Sequence, residues 1–137
     1  MPLQTQQPTI LAVDDSLVMQ ELIKQALVTD YKVLVADCAA EALSLMYHQP
    51  IAMLLLDVCM PEVSGLELCR TLRSLPQFGH LPIMMVTGKD RVFDKVQGRL
   101  AGANEYLTKP FNAQKLREIC RQLLSSQYSS RVPSDFC

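Results

Sequence analysis

The sequence predicts an α/β protein: a parallel five-stranded sheet, doubly wound, with a helix after every strand. Short apolar runs alternate five times with longer stretches of helical spacing, which argues for βα units rather than hairpins. The first and third runs are apolar at every position, as inner strands covered by helices on both faces must be. The length, 137 residues, lets about two thirds of the chain's surface be buried and is filled by one domain.

In chain order, the first strand is Thr9-Ile10-Leu11-Ala12-Val13, and Leu22, Ile23, Ala26 and Leu27 mark the helix after it. Lys32-Val33-Leu34-Val35-Ala36 is the second strand, followed by a helix through Ala39, Ala40, Ala42, Leu43 and Met46. The third run, Ile51 to Leu56, leads to a helix marked by Leu66, Cys69 and Leu72. The fourth, Pro82 to Val86, leads to one marked by Val92, Val96 and Leu100. A weaker run, Asn104 to Leu107, precedes the last helix, with Leu116, Ile119, Cys120, Leu123 and Leu124 on its apolar stripe. Right-handed crossovers with helices on both faces then give strand order 2-1-3-4-5, the flavodoxin-like arrangement. Residues 1–7 and 126–137 are expected to be flexible ends around a domain at 8–125.

Composition excludes several function classes. The net charge of -1 gives no basic field to gather nucleic acid, so none is expected as a direct partner. The chain has no apolar run of about 20 residues and no basic-then-apolar leader, so no membrane insertion is expected and the cytoplasm is the default. Five cysteines, Cys38, Cys59, Cys69, Cys120 and Cys137, show no C-x-x-C pair and read as separate reduced thiols. Charge is unevenly spread: residues 1–90 hold 5 Lys and Arg against 10 Asp and Glu, residues 91–137 hold 8 against 4.

The residues that end each apolar run carry the chemistry. Val13 is followed by Asp14-Asp15, Leu56 by Asp57, Val86 by Thr87-Gly88, and the fifth strand by Lys109-Pro110. These breaks fall at strand C-terminal ends, the edge where open α/β sheets bind ligands, and the switch point between strands 1 and 3 brings the three aspartates together. Like charges so close need raised pKa values or a cation, and Mg²⁺, which takes a carboxylate or two plus other oxygens, fits. Lys109 adds a point charge and Thr87 a hydroxyl, which together describe a phosphoryl-transfer site with a carboxylate nucleophile. Each piece alone has a plainer reading, Asp-Asp as a turn and N-cap, Lys-Pro and Thr-Gly as loop punctuation. Their joint occurrence at four strand ends is what the plainer reading fails to explain.

Val13-Asp14-Asp15-Ser16, Asp57-Val58-Cys59-Met60-Pro61-Glu62-Val63-Ser64-Gly65, Val86-Thr87-Gly88 and Tyr106-Leu107-Thr108-Lys109-Pro110-Phe111 resemble the motifs of bacterial two-component receiver domains, over about residues 8–125. The resemblance implies that Asp57 accepts phosphate from a histidine kinase or phosphotransfer protein, and that Asp14 and Asp15 organise Mg²⁺ with Asp57 and the Cys59 carbonyl. It further implies that Lys109 grips the phosphoryl group, Thr87 senses it, and Tyr106 is the aromatic switch partner. Cys59 and Lys89 would tune the phosphoryl lifetime, and Lys109-Pro110 would be a cis peptide. The chain is similar to stand-alone chemotaxis and twitching-motility receivers, which implies a monomer or weak dimer that signals by docking a downstream protein rather than as an enzyme.

The expected output face is helix 4, strand 5 and helix 5, with Arg91, Lys95, Arg99, Lys115, Arg117 and Arg121 as its basic candidates and Gly98 weakening helix 4. His48 and His80 read as solvated surface residues, and the plainer reading of Tyr106 is an edge-strand aromatic, against which the motif context favours the switch role. Two rivals stand beside this reading. A haloacid-dehalogenase-type phosphatase also uses a strand-end Asp, but Asp57-Val58-Cys59 has no second Asp two residues on. A phosphorylation-independent pseudo-receiver usually loses the acidic pair or the Lys, and this chain keeps both.

Overall fold

The computed structural model describes residues 7–88 and 92–125, without the side chains of 92–95. The expectations for Lys89, Arg91, the Lys95 side chain, residues 1–6 and the tail 126–137 lie outside the described residues. Five strands and five helices alternate: β1 Thr9–Val13, α1 Leu17–Leu27, β2 Lys32–Ala36, α2 Ala39–His48, β3 Met53–Asp57, α3 Gly65–Ser74, β4 Ile83–Thr87, α4 Val92–Ala101, β5 Glu105–Thr108 and α5 Ala113–Leu123. A 3-10 turn, Pro76–Phe78, follows α3.

All four strand pairings are parallel and the order is β2-β1-β3-β4-β5. Side-chain alternation splits the core into two layers. Leu11, Val13, Leu54, Leu56, Ile83 and Met85 pack with Ala42, Met46, Leu68, Cys69, Leu72 and Ala101 from α2, α3 and α4. Ile10, Ala12, Met53, Leu55, Met84 and Val86 pack with Ile23, Leu27, Leu116, Ile119, Cys120 and Leu123 from α1 and α5. The inner strands β3 and β4 are buried along their whole length, so the fourth run joins the first and third as a central strand.

Helix starts follow the capping residues. Ser16 caps α1 by accepting from the Met19 N–H, Ser64 and Glu67 close a capping box on α3, and Asn112 accepts from the Lys115 N–H at α5. Strand ends depart from the sequence reading: β3 and β4 extend one residue further, so Asp57 and Thr87 are last strand residues, paired with Val86 and Thr108. Some helix markers also face outward. Leu22 is half exposed, and Val96 and Leu100 are exposed, because the buried side of α4 is made by the small residues Gly98 and Ala101.

Candidate functional site

At the C-terminal edge of the sheet, β1 delivers Asp14 and Asp15, β3 delivers Asp57, β4 delivers Thr87, and the segment after β5 delivers Lys109. Asp14, Asp57 and Thr87 are buried, Asp15 is exposed. Asp14 is held from every side. Its N–H donates to Ala36 O at 3.0 Å, Oδ1 accepts from the Ser16 N–H at 2.9 Å, and Oδ2 accepts from Lys109 Nζ at 3.0 Å. Its carbonyl accepts from Gln20 Nε2 at 2.7 Å.

Asp57 Oδ1 lies 3.6 Å from Lys109 Nζ and accepts a longer bond, 3.3 Å, from the Cys59 N–H. One ligand atom from each of Asp14, Asp15 and Asp57 lies within 4.8 Å of the others. Burial, followed by the Asp14 charge, pushes the Asp57 carboxyl above its ordinary range. Lys109 and the Cys59 N–H pull it down without cancelling that rise. Asp57 is therefore a partly desolvated carboxylate in a negative cluster countered by the Lys109 ammonium, which suits both a nucleophile and a hard-cation ligand.

The loop after β3 is closed by backbone contacts. Gly65 donates to Val58 O at 3.1 Å, and a Cβ at Gly65 would stand 2.1 Å from the Asp57 carbonyl oxygen. Only glycine lets α3 start so near the strand end, and Glu62 takes a positive φ of 69° to make the turn. On the other flank, the Lys109 N–H donates to Thr87 O, and the Lys109–Pro110 peptide is cis. Tyr106 lies beside α4, where a Gly98 Cβ would come 3.1 Å from its ring.

The structure thus gathers Asp14, Asp15, Asp57 and Lys109 into one cluster, with Thr87 at the end of the strand paired to β3. Cys59 is exposed beside them. The basic candidates that are described differ in their settings. Arg117 reaches back to the α1 carbonyl of Ala26 at 3.3 Å. Of the described members Arg99, Lys115 and Arg121 are exposed, and Arg99 lines a cavity of about 190 Å³ with Ala103, Asn104, Glu105 and Tyr106.

Sequence reasoning missed Gln20, although the signal existed: a polar residue on the stripe shared with Ile23, Ala26 and Leu27. It also missed the exposed apolar group beside the site, Leu17, Val18 and Leu22. Leu22 and Met19 line an apolar cavity of about 140 Å³ with Pro110 and Phe111. No described helix is long and apolar enough to cross a membrane.

A family model for the response regulator receiver domain matches residues 10–121. The chain is 41% identical over 116 residues to the response regulator MprA of Mycobacterium leprae and 38% identical over 122 residues to the sensor histidine kinase TmoS of Ectopseudomonas mendocina. Those alignments take in 84% and 89% of this chain but 50% and 12% of the relatives, so the chain spans about half of the first and a small part of the second. Among solved structures, the chemotaxis protein CheY4 of Vibrio cholerae is similar at TM-score 0.82 and 30% identity, with 86% of this chain and 99% of that one covered. A CheY-like receiver domain protein from Methanospirillum hungatei JF-1 is similar at TM-score 0.81 and 30% identity, covering 90% and 98%.

Proposed function

This chain belongs to the response regulator receiver family, the phosphoacceptors of two-component signalling, and on that premise we propose that Asp57 is the phosphoacceptor of a receiver unit at residues 8–125. The observation that carries the reading is the Asp57 carboxylate itself, buried at a strand end, inside a 4.8 Å cluster with two other aspartates and 3.6 Å from Lys109. An Asp57 carboxylate oxygen attacks the phosphorus of a phosphohistidine on a kinase or phosphotransfer protein. The new O–P bond forms as the P–N bond breaks, and the departing imidazole nitrogen takes the electron pair and a proton from solvent.

Among the described residues, three carboxylates with the Lys109 ammonium leave a net negative pocket of hard oxygen donors, which fits Mg²⁺. Asp14, Asp15, Asp57 and the Cys59 carbonyl would hold it, and when bound it supplies neutralising charge to the transferring group. Lys109 pairs with a phosphoryl oxygen as that oxygen replaces a carboxylate partner, and Thr87 donates its hydroxyl to another. Tyr106 then repacks and changes docking at α4, β5 and α5. Cys59, exposed beside the cluster, and Lys89 tune the lifetime of the acyl phosphate. The donor approaches over Leu17, Val18 and Leu22, whose exposure beside the pocket suits an apolar partner surface.

Incubation with acetyl phosphate or phosphoramidate and Mg²⁺ should add the mass of one phosphoryl group, read by intact-mass spectrometry. The adduct should be absent after chelation and in Asp57→Asn. An adduct that persists in Asp57→Asn overturns the assignment.

A further inference from the structure

We infer that Gln20 is a positioning residue for the acidic pair, acting through the main chain of Asp14; the inference rests on the phosphoacceptor reading above. Gln20 is 7% exposed and lies one turn into α1, on the face that also buries Ile23, Ala26 and Leu27. An apolar residue there would continue the core, whereas an amide must be satisfied to be buried. Its Nε2 donates to the Asp14 carbonyl at 2.7 Å, a buried bond six residues back along the chain.

The consequence lies in which peptide is held. The Asp14 carbonyl belongs to the peptide unit joining Asp14 to Asp15, and that unit is planar. Fixing its oxygen fixes the direction in which the chain enters Asp15. Asp14 has its N–H on Ala36 and its carboxylate on Ser16 and Lys109, so its own orientation is already determined. Asp15 is exposed, and its carboxylate joins the 4.8 Å cluster from a peptide plane that Gln20 anchors. Gln20 therefore sets how far Asp15 stands from Asp57 without touching either carboxylate. It also ties the start of α1, which carries the exposed Leu17 and Val18, to the acidic pair.

The test compares full-length wild type with Gln20→Met, which keeps length and burial and removes the donor, by calorimetric titration with Mg²⁺ and by thermal melting in chelator. Loss of one buried hydrogen bond should weaken Mg²⁺ binding by about fivefold or more, with the Mg²⁺ dependence of phosphorylation by acetyl phosphate displaced by the same factor. A role confined to helix packing would lower the melting temperature and leave the Mg²⁺ midpoint in place, and that result overturns the inference. Should Gln20→Met not fold, the wild type still decides. The Gln20 side-chain NH₂ resonances should be protected from exchange and should move during Mg²⁺ titration in step with Asp15. Resonances that exchange freely and stay fixed while Asp15 moves overturn the inference. A wild type that neither binds Mg²⁺ nor takes a phosphoryl group on Asp57 fails the phosphoacceptor reading instead.

Discussion

Lys109 faces two carboxylates but stands nearer one of them, 3.0 Å from Asp14 against 3.6 Å from Asp57, and that inequality decides what removing the Asp57 charge does. Asp57→Asn leaves Lys109 its shorter pairing while relieving the desolvation and the Asp14 repulsion that raise the Asp57 pKa. A carboxyl whose folded pKa is raised binds its proton more tightly folded than unfolded. Its ionisation therefore takes away stability as pH rises from the ordinary carboxylate range through the folded value. In chelator at neutral pH, Asp57→Asn should melt above wild type, and the gap should close as pH falls and wild-type Asp57 is protonated. With Mg²⁺ the wild type should gain more, by mass action; thermal melts across pH with and without metal check both halves. The thiols separate as clearly: burial pushes Cys69 up to about 11 and Cys120 up to about 12. Iodoacetamide on the native protein should modify exposed Cys59 and spare these two, as peptide mapping would show. Asp14, Asp15, Asp57 and Lys109 were legible in the sequence because an apolar strand that stops on a charge marks a sheet edge. Gln20 and Gly65 were not, since what they do depends on the backbone oxygen each one meets.

Among the elements, α4 departs most from what periodicity suggests. Its apolar residues Val96 and Leu100 point outward, and its inner side is lined by Gly98 and Ala101. A stripe read from hydrophobicity selects the larger side chains, but the neighbouring Tyr106 ring takes the space that a large inward residue would fill. Replacing Gly98 by Ala should return about 1 kcal/mol of helix propensity while bringing a methyl to 3.1 Å from that ring. The two effects oppose, so the melting temperature should change little and the Tyr106 ring should be displaced, which its aromatic proton shifts and contacts to Met85 would report. The far end of α4 is held differently. Arg73, from α3, donates to Gly102 O at 2.9 Å, to Phe78 O and Gly79 O, and to Asn104 Oδ1. Asn104 Oδ1 in turn accepts from the Ile83 N–H at 2.8 Å. All four acceptors of Arg73 are neutral oxygens tying α3, the 3-10 turn, α4 and β5 together, and Gly102 admits the side chain by taking a φ of 108°. Arg73→Met should therefore destabilise by about 2 to 3 kcal/mol through acceptors left without a donor, measured by urea denaturation. Phosphorylation of Asp57 should continue in the folded fraction, because no Arg73 contact reaches the acidic cluster.

Across the whole molecule the sheet connects the cluster to the face proposed for output. Asp57 pairs with Val86 on β4, the next residue, Thr87, pairs with Thr108 on β5, and Met85 pairs with Tyr106. One strand, β4, thus lies between Asp57 on β3 and the ring on β5 that packs on α4. This order was readable in advance, since five apolar runs joined by helices leave few topologies. The setting of Arg117 was not, because sequence proximity placed it with the other basic residues of α5 while the helix turns it onto the α1 carbonyl of Ala26. Arg117 is thus tied to α1, while Arg99, Lys115 and Arg121 remain exposed. Coupling through Thr87 is the route proposed for the signal. A phosphoryl group adds roughly -1.5 to -2 charges beside a buried hydroxyl, and on the function proposed above a hydroxyl drawn toward it would vacate space on the Tyr106 side. Hydrogen exchange in α4 and β5 should then change when wild type is phosphorylated by acetyl phosphate and stay unchanged in Thr87→Ala, although intact mass should show Asp57 loaded in both. If Thr87→Ala carries the phosphoryl group and its α4 and β5 amides respond as the wild type's do, the signal reaches that face by a route that does not pass through Thr87.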